Sequence, residues 1–143
     1  MIHEQKALRA ASAATIGFGL LIAAGAHPLT GGLTHLLGDV LLWPMDGMEQ
    51  GATREARLLY AIAGGLMAGM GWMLWELSGR DYAQDRALAR RIIVGGLAVW
   101  FVVDCTASVA AGGAWNVLAN SAFLSLFALP LWRGRGKSQP TER

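Results

Sequence analysis

The chain has 143 residues, 54% of them hydrophobic and only 15% charged, with a formal net charge of +2 at pH 7. Soluble domains carry about 25% charged residues, so this balance excludes an ordinary water-soluble domain, and its apolar content excludes a disordered one. The single cysteine, Cys105, excludes a disulfide-built module and paired-thiol redox chemistry. So small a positive charge, gathered in loops and one tail, does not suggest nucleic-acid binding, and none is expected.

What remains is an all-α integral membrane four-helix bundle forming one domain over residues 1–143. A bilayer core about 30 Å thick takes about 20 apolar residues of helix. The first such segment, 10–26, carries no charge. Arg9 marks its start and His27-Pro28 its end, because the residue before a proline is pushed out of helix. Lys6 and Arg9 ahead of this run, and Ala24-Gly25-Ala26 within its end, also read as a secretory signal with a cleavage site. The run is long for a signal core, so the expectation is an uncleaved span.

The next apolar stretch, 29–43, is too short to span. Leu33, Leu36, Leu37, Val40 and Leu41 share one helical face, and Thr34, His35, Gly38 and Asp39 share the other. This predicts a short amphipathic helix over 30–43, lying in the outer interface with its polar side toward water or the protein. Trp43-Pro44-Met45-Asp46-Gly47 then reads as a turn with an aromatic anchor.

The second span is placed at 58–77, with Thr53 as N-cap and Glu55 in its first turn. Inside it Gly65 and Gly69 form a G-x-x-x-G with Gly64 and Ala68 beside them, and Ala13 and Gly17 offer the same spacing in the first span. Such notches let backbones approach in lipid, where no hydrophobic force drives association. A basic loop, 80–91, leads through Asp85 as a helix cap into the third span at 92–111. Only Gly112-Gly113 separates that span from the fourth at 114–132, which demands a tight antiparallel hairpin. A basic tail occupies 133–143.

Lysine and arginine distribution sets the threading. With four spans and both termini cytoplasmic, Lys6, Arg9, Arg80, Arg86, Arg90, Arg91, Arg133, Arg135, Lys137 and Arg143 lie inside, and only Arg54 and Arg57 lie outside. A fifth span at 29–43 would spoil that segregation by moving Lys6 and Arg9 outside.

Asp104 is the most informative residue, read as lying near the bilayer middle. A charge there is expensive, so it must face the bundle interior and either find a partner or be protonated. Ser108 lies one turn on, and Asn116 and Asn120 lie across the hairpin, making a polar cluster that acts as a helix clasp, a proton relay or a ligand-orienting acid. Outside the spans His35 and Asp39, four apart, form an outer-face polar pair. With His27, Asp46 or Glu49 they would have to fold together to bind a metal, and a solvated His–Asp hydrogen bond is the simpler expectation. His3, His27 and His35 all fall outside the spans, which argues against haem; no cofactor and no metal are expected. No nucleotide, hydrolase or zinc-protease motif is present, so no catalytic residue is assigned.

The whole chain, with its short outer segment ending in Asp39-x-x-x-Trp43-Pro44-Met45-Asp46-Gly47 and an aspartate in the third span, resembles small four-helix inner-membrane proteins of bacteria. The resemblance implies a multi-pass protein of the bacterial inner membrane. That group has no settled activity, so it implies no catalytic residue.

The leading functional expectation is a non-enzymatic accessory or scaffolding subunit packing against a larger membrane complex. The alternative is a small transporter or proton-coupled component using Asp104, and the third is a membrane metalloenzyme at His35 and Asp39. Expected partners are the bilayer, anionic lipids at the basic loop and tail, and other membrane subunits or a second copy, with no nucleic acid.

Overall fold

A computed structural model describes residues 2–47 and 53–133. Glu49 and the tail beyond Arg133, both invoked above, lie outside these residues. The described residues contain no strand and form six helices: α1 (Ile2–Ala24), α2 (Gly32–Leu41), α3 (Arg54–Leu77), α4 (Arg80–Gln84), α5 (Arg86–Ala110) and α6 (Trp115–Arg133). Four of them, α1, α3, α5 and α6, are long and apolar enough to cross a membrane.

Local chemistry sets most helix ends. The Thr53 side chain accepts a hydrogen bond from the Ala56 amide at 3.1 Å, and the Asp85 carboxylate accepts one from Leu88 at 2.9 Å. Both are N-caps of the expected kind. At the end of α5 the Gly113 amide donates to the Ser108 carbonyl at 2.8 Å and Gly112 to Val109 at 3.1 Å. That pairing closes a helix only when the intervening residue is left-handed, and Gly112 has φ +85°. The hairpin expected at Gly112-Gly113 is therefore built.

α1 starts at Ile2, two turns before the expected 10. Its polar opening turns are satisfied rather than frayed. Gln5 donates to the Gly79 carbonyl, and the Arg9 guanidinium lies 4.1 Å over the Trp75 ring.

The tightest helix pair is α1 against antiparallel α3. A Cβ on Gly64 would sit 2.3 Å from the Ala23 amide nitrogen, and one on Gly19 would sit 2.4 Å from that of Ala68. The backbones touch through Gly19, Ala23, Gly64 and Ala68, with Gly71 against Ile16. Gly65, Gly69 and Gly17 have nothing within 4 Å of a built Cβ. The expected notch thus exists on a neighbouring face. One residue turns a helix by about 100°, and small residues at both 64 and 65 left two faces to choose from.

α5 and α6 form the second pair, joined to the first chiefly where α1 meets α6, while α5 barely meets α3. Buried apolar side chains gather near the N-terminal ends of α1 and α5, around Leu8, Leu74, Ala89, Ile93, Leu97, Phe127 and Leu131. Toward the Gly112 end the pairs part, and α2 covers the opening. Its Thr34 and Asp39 are buried, while Leu33, Leu36 and Val40 are exposed, so its polar face turns into the protein. Thr34 Oγ1 donates to the Leu21 carbonyl at 2.7 Å.

Candidate functional site

Where the helix pairs part, they leave a half-open cavity of about 720 Å³. α1 contributes Phe18 and Ile22, α3 contributes Leu66, Met67 and Met70, and α2 contributes Leu37 and Leu41. The facing wall, from α5 and α6, carries Trp100 and Phe123, packed edge-on with ring centroids 5.3 Å apart. This size and apolar lining suit a ligand site of the kind that admits small organic molecules.

Only one part of the wall is strongly polar. Asp104, Asn116 and Asn120 all line the cavity. Asp104 Oδ1 accepts three hydrogen bonds: from Ser108 Oγ at 3.1 Å, Asn116 Nδ2 at 2.8 Å and Asn120 Nδ2 at 2.8 Å. Asn116 Nδ2 also donates to Ser108 Oγ at 2.8 Å, and Asn120 Nδ2 reaches Cys105 Sγ at 3.6 Å. The four residues read from the sequence as a cluster are brought together, and Cys105 joins them.

The cluster does not sit halfway along α5. Asp104 lies six residues before the helix end at Ala110, about 9 Å, and Asn116 is the second residue of α6. The carboxylate is closer to the hairpin than to the middle of its helix. Asn116, at the very start of α6, can reach it only for that reason.

His35 and Asp39 share the inward side of α2 without bonding each other. The Asp39 carboxylate accepts from the Gly47 amide at 2.9 Å, which folds the Trp43–Gly47 turn back over the helix. The His35 ring packs against Tyr60, with centroids 5.8 Å apart, and its Nε2 is buried without a hydrogen-bond partner. The expected His–Asp hydrogen bond is absent: the carboxylate turns to the Gly47 amide and the imidazole to the Tyr60 ring. Among the described residues no group of three metal-ligating side chains converges.

A second polar cluster was missed. Glu4, 8% exposed, accepts from Tyr82 Oη at 2.6 Å and from Arg90 Nη1 at 2.8 Å, and it pairs with Arg86. Arg90 Nη2 also donates to the Leu131 carbonyl at 2.8 Å. One arginine therefore ties α1, α5 and α6 together. Burial pushes the Tyr82 phenol above its usual range, and its hydrogen bond to Glu4 adds to the rise. A signal for Glu4 existed: Glu4, Leu8, Ala11, Thr15 and Gly19 recur on one helical stripe, and all are buried.

Compared with family models, characterised proteins and solved structures, the chain matches none. The functional reading accordingly rests on the site itself.

Proposed function

We propose that this chain is a non-enzymatic four-pass membrane protein that binds an apolar ligand between its two helix pairs, with Asp104 at the polar end of the chamber. The observation that carries the reading is the cavity itself: about 720 Å³, apolar over most of its wall, with a carboxylate and two amides converging at one place. An intramembrane acid facing a chamber rather than a packed interface marks a functional site by default. This takes up the ligand-orienting acid read for Asp104 and departs from the small transporter or proton-coupled component, since it asks for neither transport nor proton transfer.

Membrane placement follows the charge distribution. Lys6, Arg9, Arg80, Arg86, Arg90, Arg91 and Arg133 gather at the end of the bundle opposite the hairpin, and Arg54 and Arg57 at the hairpin end. On the positive-inside rule both chain ends are cytoplasmic and α2 lies at the outer face, as in a bacterial inner membrane. Lys6, Arg80, Arg91 and Arg133 are exposed and available to anionic headgroups, whereas Arg86 and Arg90 are engaged by Glu4.

A second reading, an accessory subunit packed against a larger complex or a second copy, draws on Gly65 and Gly69. Their small-residue face has no neighbour within the described residues and would accept another helix closely.

Native mass spectrometry of the full chain, extracted in a mild detergent, tests the leading reading. The expected spectrum shows a bound lipophile that is lost in Met67→Trp, which fills the chamber from α3. A wild-type chain free of adduct, with no saturable uptake of added lipophiles, would overturn it.

A further inference from the structure

The polar patch in the chamber has a direction. Ser108 has one hydroxyl hydrogen, and Asn116 and Asn120 have two amide hydrogens each. All five are spent inside the cluster: three on Asp104 Oδ1, one on Ser108 Oγ and one on Cys105 Sγ. What remains is acceptors only, namely Asp104 Oδ2, Asn116 Oδ1 and Asn120 Oδ1. No described residue donates to any of them, and none is sealed from open space. The indole N–H of Trp100, one turn away on α5, is the one other side-chain N–H or O–H among the residues lining the chamber.

A chamber whose free polar atoms, the Trp100 N–H apart, are acceptors, one of them on a carboxylate, discriminates between headgroups. A carboxylate or ionised phosphate head would bring acceptors against acceptors, and a bare hydrocarbon would leave all three oxygens unpaired in an apolar surround. An ammonium group carries three donors and a positive charge, which answers three acceptors and a carboxylate together. The Trp100 ring, on the same wall, offers a further surface that attracts cations.

We infer that the chamber's ligand is a lipophilic primary amine, its ammonium on Asp104, Asn116 and Asn120 and its hydrocarbon against Phe18, Met67 and Phe123. The inference rests on the chamber being a binding site and adds the rule for the headgroup.

The test uses the full chain in phosphatidylcholine nanodiscs, whose quaternary headgroups carry no donors, with empty nanodiscs as background. Radiolabelled dodecylamine is the probe, and dodecyltrimethylammonium, dodecanoate and dodecyl methyl ether are competitors of equal chain length. Saturable dodecylamine binding is expected, at least about tenfold tighter than that of the trimethylammonium compound, which has no N–H and forgoes every charge-assisted hydrogen bond. It should fall about tenfold or more in Asp104→Asn and vanish in Met67→Trp.

Equal binding of all four heads, still abolished by Met67→Trp, would leave the chamber a lipophile site and overturn the headgroup rule. Equal binding of the two cations would reduce the rule to charge alone and overturn it likewise. Amine binding that survives Met67→Trp would put the site elsewhere, and no saturable binding of any probe would sink both readings.

Discussion

Glu4 holds together a junction whose partners no local pattern announces, although the buried stripe of α1 marks Glu4 itself. Its carboxylate is nearly sealed, and two guanidiniums and a phenol converge on it from α4 and α5. Taking the carboxylate away leaves Arg90 partly buried with only the Leu131 carbonyl, and Tyr82 with no acceptor. Breaking a buried ion pair from one side costs about 3–5 kcal/mol, and the partial exposure of both arginines brings the expectation for Glu4→Ala to roughly 2–4 kcal/mol. A thermal melt in detergent should show that loss, with Glu4→Gln recovering part of it by keeping acceptors for Tyr82 and Arg90. A melt unchanged by Glu4→Ala would mean the cluster contributes nothing net. The raised Tyr82 phenol gives its hydrogen bond a pH window. The bond is present below the ordinary phenol range and is lost only as pH climbs through the raised value, so neutral pH leaves the junction intact. The Asp104 cluster, by contrast, was legible residue by residue, because an acid in an apolar helix must find donors and the tight hairpin limits where they come from. The direction of its hydrogen bonds was not, since every amide in the sequence is both donor and acceptor until its neighbours are placed.

Helix ends and the two faces of α2 could be read from the chain because they depend on residues within a turn of each other. Thr53, Asp85 and Gly112 act where the sequence puts them. The face on which α1 meets α3 depends instead on rotation about both helix axes, and a run of small residues at 64, 65, 68 and 69 does not specify it. The distinction is open to experiment. Gly64→Ala would drive a methyl to within 2.3 Å of backbone on α1, which cannot rotate away. Overpacking of this kind costs about 1–3 kcal/mol when side chains can yield, and backbone contact puts the expectation at the upper end. Gly65→Ala and Gly69→Ala add a methyl to open space and should leave the melt unchanged or raise it slightly, since alanine is the better helix former by up to about 1 kcal/mol. Should Gly65→Ala destabilise the monomer as much as Gly64→Ala, the helices must pack on the other face. The same pair of variants separates folding from assembly, because a partner docked on Gly65 and Gly69 would be displaced by the change that leaves the fold alone.

The packing of the bundle is uneven along its length, and its threading gives that unevenness a sense. The ion-paired, close-packed end carries most of the described cations, and the end that opens into the chamber lies beneath α2 and the glycine hairpin. If the cations mark the cytoplasm, the chamber stands in the outer half of the membrane, and a ligand would meet it from the outer leaflet side. Orientation is therefore part of the functional argument. A cysteine-free background made by Cys105→Ser, carrying one new thiol at a time, decides it. Met45→Cys and Ala114→Cys flank the chamber end, and Ala83→Cys lies in α4 at the opposite end. A membrane-impermeant maleimide should label the first two in intact cells and the third only after permeabilisation. The reverse pattern would turn the chamber toward the cytoplasm. A further thiol at Leu29→Cys, exposed on the α1 side of α2, tests the number of passes: labelling at 29 and 45 on opposite sides would show that α2 crosses the bilayer and that the chain has five passes. The Coulombic ordering makes the first outcome the expected one, because a five-pass chain keeping its 80–91 loop inside must carry Lys6 and Arg9 across with its N-terminus.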